Sequence, residues 1–149
     1  MQTIYSDKNI SLPVGGTCVT VGTFDGVHRG HAEILRFLKS VSVQNQLDSV
    51  VFTFGTHPRY VLNEDASDLK ILTTLSEKAH LISQFGIDHL FVQEFTTEFS
   101  SMHAEEFVAE ILVGKLKMKS LVVGHDHLFG KDRSGNFALL SELSDKYGF

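Results

Sequence analysis

The sequence predicts an α/β domain built on a mainly parallel, doubly wound sheet. Three observations carry that reading. Strand-like and helix-periodic stretches alternate along the chain, the pattern that covers a parallel sheet with helices on both faces. The strand candidates are short continuous apolar runs, as expected of strands buried on both sides. Two of those runs close on glycine, at Gly22 and Gly124, and pass at once into polar, glycine-rich loops. Open α/β sheets bind ligands there, outside the carboxyl ends of their strands.

The elements follow in order. Val19, Thr20 and Val21 form the core of a first strand that includes Cys18, and Gly22, Asp25 and Gly26 break it. Ile34, Leu35, Leu38 and Val41 then fall at helical spacing with charges between them. Residues 49–54 are a second β-rich run, followed by a polar loop with Pro58 and the acidic stretch 64–68. Thr74 is placed as an N-cap for a helix beginning near Leu75, with Glu77 at the capping-box position. Ala79, Leu81, Ile82 and Phe85 supply its apolar stripe, and Gly86 terminates it. Residues 89–92 read as the third strand, 104–116 as a helix with Phe107, Val108, Ile111 and Leu112 inward, and 121–123 as the fourth strand. A last helix covers 137–147, with Gly148 as its cap.

Composition narrows the function class. A chain of 149 residues is about one domain and can bury one core. An apolar fraction of 42% argues against disorder, and a net charge of −5 creates no field that favours nucleic acid. No apolar run approaches the roughly 20 residues of a membrane span, and no basic-then-apolar leader opens the chain. The single cysteine, Cys18, excludes a disulfide framework and reads as a buried thiol. A cytoplasmic protein without membrane or nucleic-acid partners is expected. Neither an internal repeat nor a linker is evident.

The segment 19–31 carries most chemistry. His28, Gly30 and His31 sit where the first strand hands over to a helix. Unpaired N–H groups and the positive end of the helix dipole make that position a natural phosphate site. Glycine turns of this kind occur throughout α/β folds, but the full string Gly-x-Phe-Asp-Gly-x-His-x-Gly-His is more specific. It is neither a dinucleotide fingerprint nor a P-loop, because no Lys-Ser/Thr pair follows. It resembles the His-x-Gly-His signature of the nucleotidyltransferase superfamily, and in this form that of the FMN adenylyltransferase domain of bacterial FAD synthetases. The resemblance implies a Rossmann-like nucleotidyltransferase fold, His28 and His31 as catalytic residues, and nucleotide contacts from Gly22, Thr23, Phe24, Asp25, Gly26 and Gly30.

Two further stretches match that family in order. The loop 124–135 resembles Gly-x-Asp-Phe-x-Phe-Gly-x-x-Arg-x-Gly, with Gly124, Asp126, Phe129, Gly130 and Arg133 in place; His127 and Leu128 depart from the pattern. Asp126 would accept hydrogen bonds from substrate, Phe129 would pack on a ring, and Arg133 would pair with phosphate oxygens. If the first and fourth strands are neighbours, this loop faces the same crevice as the histidines. Residues 53–59 resemble Thr-Phe-x-Pro-His-Pro on the flavin side of the family's site, through Phe54, His57, Pro58 and Arg59, with Thr56 in place of a proline. The implied reaction takes ATP and FMN to FAD and pyrophosphate, with Mg²⁺ accompanying ATP and no dedicated metal ligands. Rival readings are a related transferase with another phosphate acceptor, such as a pantetheine or choline phosphate, and a non-catalytic nucleotide- or flavin-binding module. A metal site around His125 and His127 is the weakest of them, since it lacks a converging ligand set.

In the resembled family another strand follows, and then a Ser-Ser-Thr-x-Ile-Arg-like segment and a riboflavin kinase domain. Nothing in residues 1–149 matches these. A partial, C-terminally truncated domain with a four-stranded sheet, weak ATP binding, little or no FAD synthesis and a tendency to dimerise through its unfinished side is therefore expected.

Overall fold

Val19 faces one side of its strand and Cys18 the other, and both are fully buried; two-sided burial is what a central parallel strand requires. In the computed structural model of the chain the described residues are 1–7, 15–62, 70–124 and 128–149, without the side chains at 59 and 60. They form strands β1 (Gln2–Tyr5), β2 (Thr17–Val21), β3 (Asp48–Phe54), β4 (His89–Gln93) and β5 (Met118–Val122), in the order β1-β4-β3-β2-β5. Every pairing is parallel. The helices are α1 (Arg29–Gln44), α2 (Pro58–Val61), α3 (Leu75–Ser83), α4 (Thr97–Ser100), α5 (Ala104–Glu106), which continues as a π-helical segment over Phe107–Lys115, and α6 (Phe137–Tyr147).

Two cores result, one on each face. Leu35 and Leu38 of α1 and Ile82 of α3 pack over Cys18, Val51 and Leu90. Phe107, Val108 and Leu112, with Leu140 and Leu143 of α6, pack over Val19, Val50, Phe52 and Phe91 on the other face. The sheet is thus doubly wound, as expected. The chain advances from β2 through β3 to β4, then returns to lay β5 on the far side of β2. That reversal places the loops after β2 and β5 side by side, at the switch point of the sheet.

Several local signals are met closely. Thr74 caps α3 and completes a capping box with Glu77, and Gly148 adopts the left-handed cap conformation after α6. Cys18 is buried, and burial pushes its thiol above the ordinary value. Three expectations need correction. Among the described residues the sheet has five strands, not four: only Ile4 of the four β1 residues is buried, which leaves no apolar run in the sequence to mark that strand. The fourth expected strand begins earlier, at Met118. The helix over 104–116 is α-helical only in its first turn; beyond it, bonds such as Leu116 N–H to Ile111 O span five residues. Apolar periodicity registers a helix in either case and does not resolve that widening.

Candidate active site

The β2–α1 turn is bent into a shape its residues would not adopt alone. Phe24, Gly26 and Val27 all have positive φ (50°, 68° and 41°). For side-chain-bearing residues that conformation costs about 1–2 kcal/mol each, and a β-branched valine there is an outlier. Gly22 makes the bend possible: a Cβ on it would lie 3.0 Å from the ring of Phe24, which folds back over it and is 1% exposed. On the far side the Asp25 carboxylate accepts from the amides of Leu72 and Thr73 and from the Thr73 hydroxyl, at 2.9–3.0 Å. Asp25, expected as a nucleotide contact, thus has its carboxylate engaged by the turn before α3. Burial pushes that carboxyl up, but these donors and the Lys78 charge outweigh it, and the net shift is downward.

The turn delivers the histidine pair. His28 is the N-cap of α1, its Nδ1 accepting from the His31 amide at 3.3 Å. With Nδ1 an acceptor, the neutral ring carries its proton on Nε2, free to donate outward. Gly30 allows this: a Cβ there would stand 3.2 Å from His28 Cε1. The His28 ring therefore folds back over the helix start and stacks on His31, centroids 3.6 Å apart and 18° from parallel. Phe24 flanks His31 at 5.0 Å. Burial first, then the His28 imidazole and the Lys78 charge, hold His31 at about 4, against the opposing pull of Asp25. His31 is neutral at pH 7.

Of these residues Gly22, Phe24 and His31 border a cavity of about 530 Å³ between the β2 and β5 loops, whereas Asp25, Gly26, His28 and Gly30 are not among its lining residues; His28 reaches it only through its stack on His31. Gly22, Thr23, Phe24 and His31 line one side, and Gly124, Phe129, Gly130 and Arg133 the other, so the two loops do share one crevice. Gly130 is fixed by its φ of 73° and by the Ala104 backbone, whose Cα would lie 2.7 Å from a Cβ there. Phe129 and Gly135 close the loop with a two-bond bridge. Of the expected flavin-side residues, Phe54 and Pro58 line this cavity. Phe54 and His57 also line an adjoining cavity of about 360 Å³ with Asp25, Thr73 and Lys78. Asp126, His125, His127, the stretch 64–68 and the side chain of Arg59 lie outside the described residues.

The sequence reading missed an aromatic wall. Phe95 and Phe99, from the β4–α4 segment, enter the main cavity beside Phe54, with ring centroids 5.2–6.0 Å apart. The wall continues through Phe107 to Phe129 at 5.9 Å steps. The spacing Phe95-x-x-x-Phe99 was the available signal. No carboxylate side chain lines this cavity, and Arg133 is its one charged lining residue among those described. The site can therefore take a flat aromatic body along one wall and an anionic group near the His31 imidazole and the Arg133 guanidinium. Among the described residues no group of three or more His, Cys, Asp or Glu could hold a metal ion, and no helix is long and apolar enough to cross a membrane.

Residues 13–149 match the family model of FAD synthetase. The chain belongs to the FAD synthetase family. It is 36% identical over 149 residues to the bifunctional riboflavin kinase/FMN adenylyltransferase of Buchnera aphidicola subsp. Schizaphis graminum, covering 100% of this chain and 47% of the relative. The protein of the same description from Escherichia coli K12 is 35% identical over 150 residues, covering 100% and 48%. That of Listeria monocytogenes is 35% identical over 148 residues, covering 97% and 47%. The chain thus spans about half the length of the curated relatives it matches. Among solved structures, a Streptococcus pneumoniae crystal structure described as a macrolide-efflux protein superposes with a TM-score of 0.83 at 28% identity, covering 95% of this chain and 55% of that one.

Proposed function

We propose that this domain transfers the adenylyl group of ATP to FMN, giving FAD and pyrophosphate. The observation that carries the proposal is the pairing of an aromatic wall with an anion-tolerant end in one cavity at the switch point, in a member of the FAD synthetase family. Both substrates are flat aromatic rings bearing phosphate.

In this reading an FMN phosphate oxygen attacks the α-phosphorus of ATP, a new P–O bond forms, and the bond to the β-phosphate oxygen breaks. Pyrophosphate leaves with the electron pair, so no covalent enzyme intermediate is needed. The protein's task is in-line positioning and fixed donors around the charge that moves toward the leaving group. His28 and His31 act as donors to phosphate oxygens, and the N-terminus of α1 adds its free amides. Arg133 makes no ion pair with a described residue and supplies a bidentate cation to phosphate. Phe54, Pro58, Phe95 and Phe99 form the wall for a ring system. Mg²⁺ is taken to enter with ATP, bound through phosphate and water.

The test is chromatographic detection of FAD from FMN, ATP and Mg²⁺, with His31→Ala beside the unaltered chain. Loss of one such donor lowers turnover about a hundredfold or more, with the fold retained by circular dichroism. Normal turnover in His31→Ala would remove this histidine from the mechanism.

A further inference from the structure

The strained turn that presents His28 needs something to hold it, since residues in sparsely populated regions persist only where their surroundings over-determine them. The hydrogen bonds that do this come from a segment 47–48 residues away in the chain. Thr73 Oγ1 donates to Asp25 Oδ1 at 3.0 Å and accepts from the Gly26 amide at 3.1 Å. The Thr73 and Leu72 amides complete the attachment to Asp25. A Cβ at Gly26 would fall 2.8 Å from Leu72 Cδ1, so the turn lies directly against this segment.

A second support lies beneath. Lys78, on α3, is 8% exposed, and its amine donates to Thr53 Oγ1 and to the Phe54 carbonyl, each at 3.3 Å. The Thr53 hydroxyl donates in turn to the Thr23 carbonyl at 3.0 Å, immediately before Phe24. None of Asp25, Thr73 and Lys78 lines the main cavity; all three lie in the adjoining one.

We propose that Thr73, Asp25 and Lys78 are positioning residues: a clasp from the segment before α3, with a buried amine beneath it, holds the β2–α1 turn in the one conformation that stacks His28 on His31. For its effect on turnover the proposal rests on the adenylyl-transfer reading above; for the clasp itself it does not. Charged and titratable groups that act on His31 are His28 at the cap of α1, Asp25 in the turn and Lys78 from α3. The two largest causes of the low His31 value are burial and the stacked His28 imidazole, so a turn that opens and unstacks His28 lets His31 titrate nearer its ordinary value.

The deciding experiment compares Thr73→Val, which keeps the shape and deletes the hydroxyl, with Thr73→Ser, which keeps the hydroxyl. Three readouts are taken: amide hydrogen exchange at Gly26, the pH titration of the His31 ring by NMR, and kcat and KM for FAD formation. In Thr73→Val, Gly26 exchange rises by about tenfold or more, His31 titrates nearer its ordinary value, and kcat falls by about tenfold with KM for both substrates little changed. Thr73→Ser restores all three. Wild-type exchange and titration in Thr73→Val would overturn the proposal. So would a serine variant as defective as the valine, or a change confined to KM, which would mean that Thr73 touches substrate in the adjoining cavity. If the unaltered chain forms no FAD, the adenylyl-transfer reading fails, while exchange and imidazole titration still judge the clasp.

Discussion

Gly30 sits in the most informative place for a single methyl group. Its φ is not positive, so alanine can occupy the backbone without strain. Replacing glycine inside a helix contributes up to about 1 kcal/mol of stability. The cost appears elsewhere: the new Cβ would stand 3.2 Å from His28 Cε1 and 3.3 Å from Nδ1, so the ring must retreat by a few tenths of an ångström. The His28 Nδ1 bond to the His31 amide is already 3.3 Å long, near the limit for such bonds, and it would be lost. Loss of an N-cap bond costs about 1 kcal/mol, so the two effects on stability nearly cancel. Displacing one phosphate donor, rather than deleting it, lowers turnover by roughly ten- to a hundredfold. Gly30→Ala should therefore melt within a few degrees of the unaltered chain and yet synthesise FAD far more slowly. The assay pairs thermal unfolding with initial rates of FAD formation. Unchanged rates would refute the claim that Gly30 exists to let the His28 ring fold back, and so would a rate lost only together with the fold.

Other consequences follow from the same geometry. His31 is held at about 4 against an ordinary 6.5, so the unfolded chain binds its proton first as pH falls. This destabilises the fold progressively from pH 6.5 to 4, and in denaturant titrations across that window His31→Gln should show a flatter dependence than the unaltered chain. Gly130→Ala combines a φ of 73° with a Cβ 2.7 Å from Ala104 Cα; by strain and overpacking it should cost about 2–4 kcal/mol, read as a lower denaturant midpoint. Arg133→Met should weaken ATP binding about tenfold or more by calorimetry, with little change in melting, because Arg133 is exposed and makes no described ion pair.

How much of this was legible in the sequence varies with the range of the interaction. Local chemistry was readable: the Thr74–Glu77 box, the Gly148 cap and the span of α6 follow from neighbours in the chain. The His28 and His31 placement was readable for the same reason, since strand, glycine turn and helix are consecutive. The shared crevice depended on β2 lying beside β5, which the sequence could state only as a condition and the sheet order meets. The role of Asp25 was not legible, because its partner Thr73 is remote and a turn aspartate looks the same whether it binds ligand or protein. Phe95 and Phe99 escaped notice because one sits in the connection after β4 and the other in the four-residue α4, too short a stretch for their i, i+4 spacing to stand out. β1 escaped because an edge strand with a single buried residue leaves no apolar run.

The central proposal is that one cavity brings an ATP α-phosphorus to an FMN phosphate beside His31, on which His28 stacks. Its most direct test is to incubate residues 1–149 with FMN, ATP and Mg²⁺ and to measure FAD and pyrophosphate together in the same samples. The expected result is the two products in equal amounts, at whatever rate these residues sustain, and a fall of about a hundredfold in both with His31→Ala. Pyrophosphate released without FAD, FAD formed equally well by His31→Ala, or no FAD from folded protein saturated with both substrates would each contradict it.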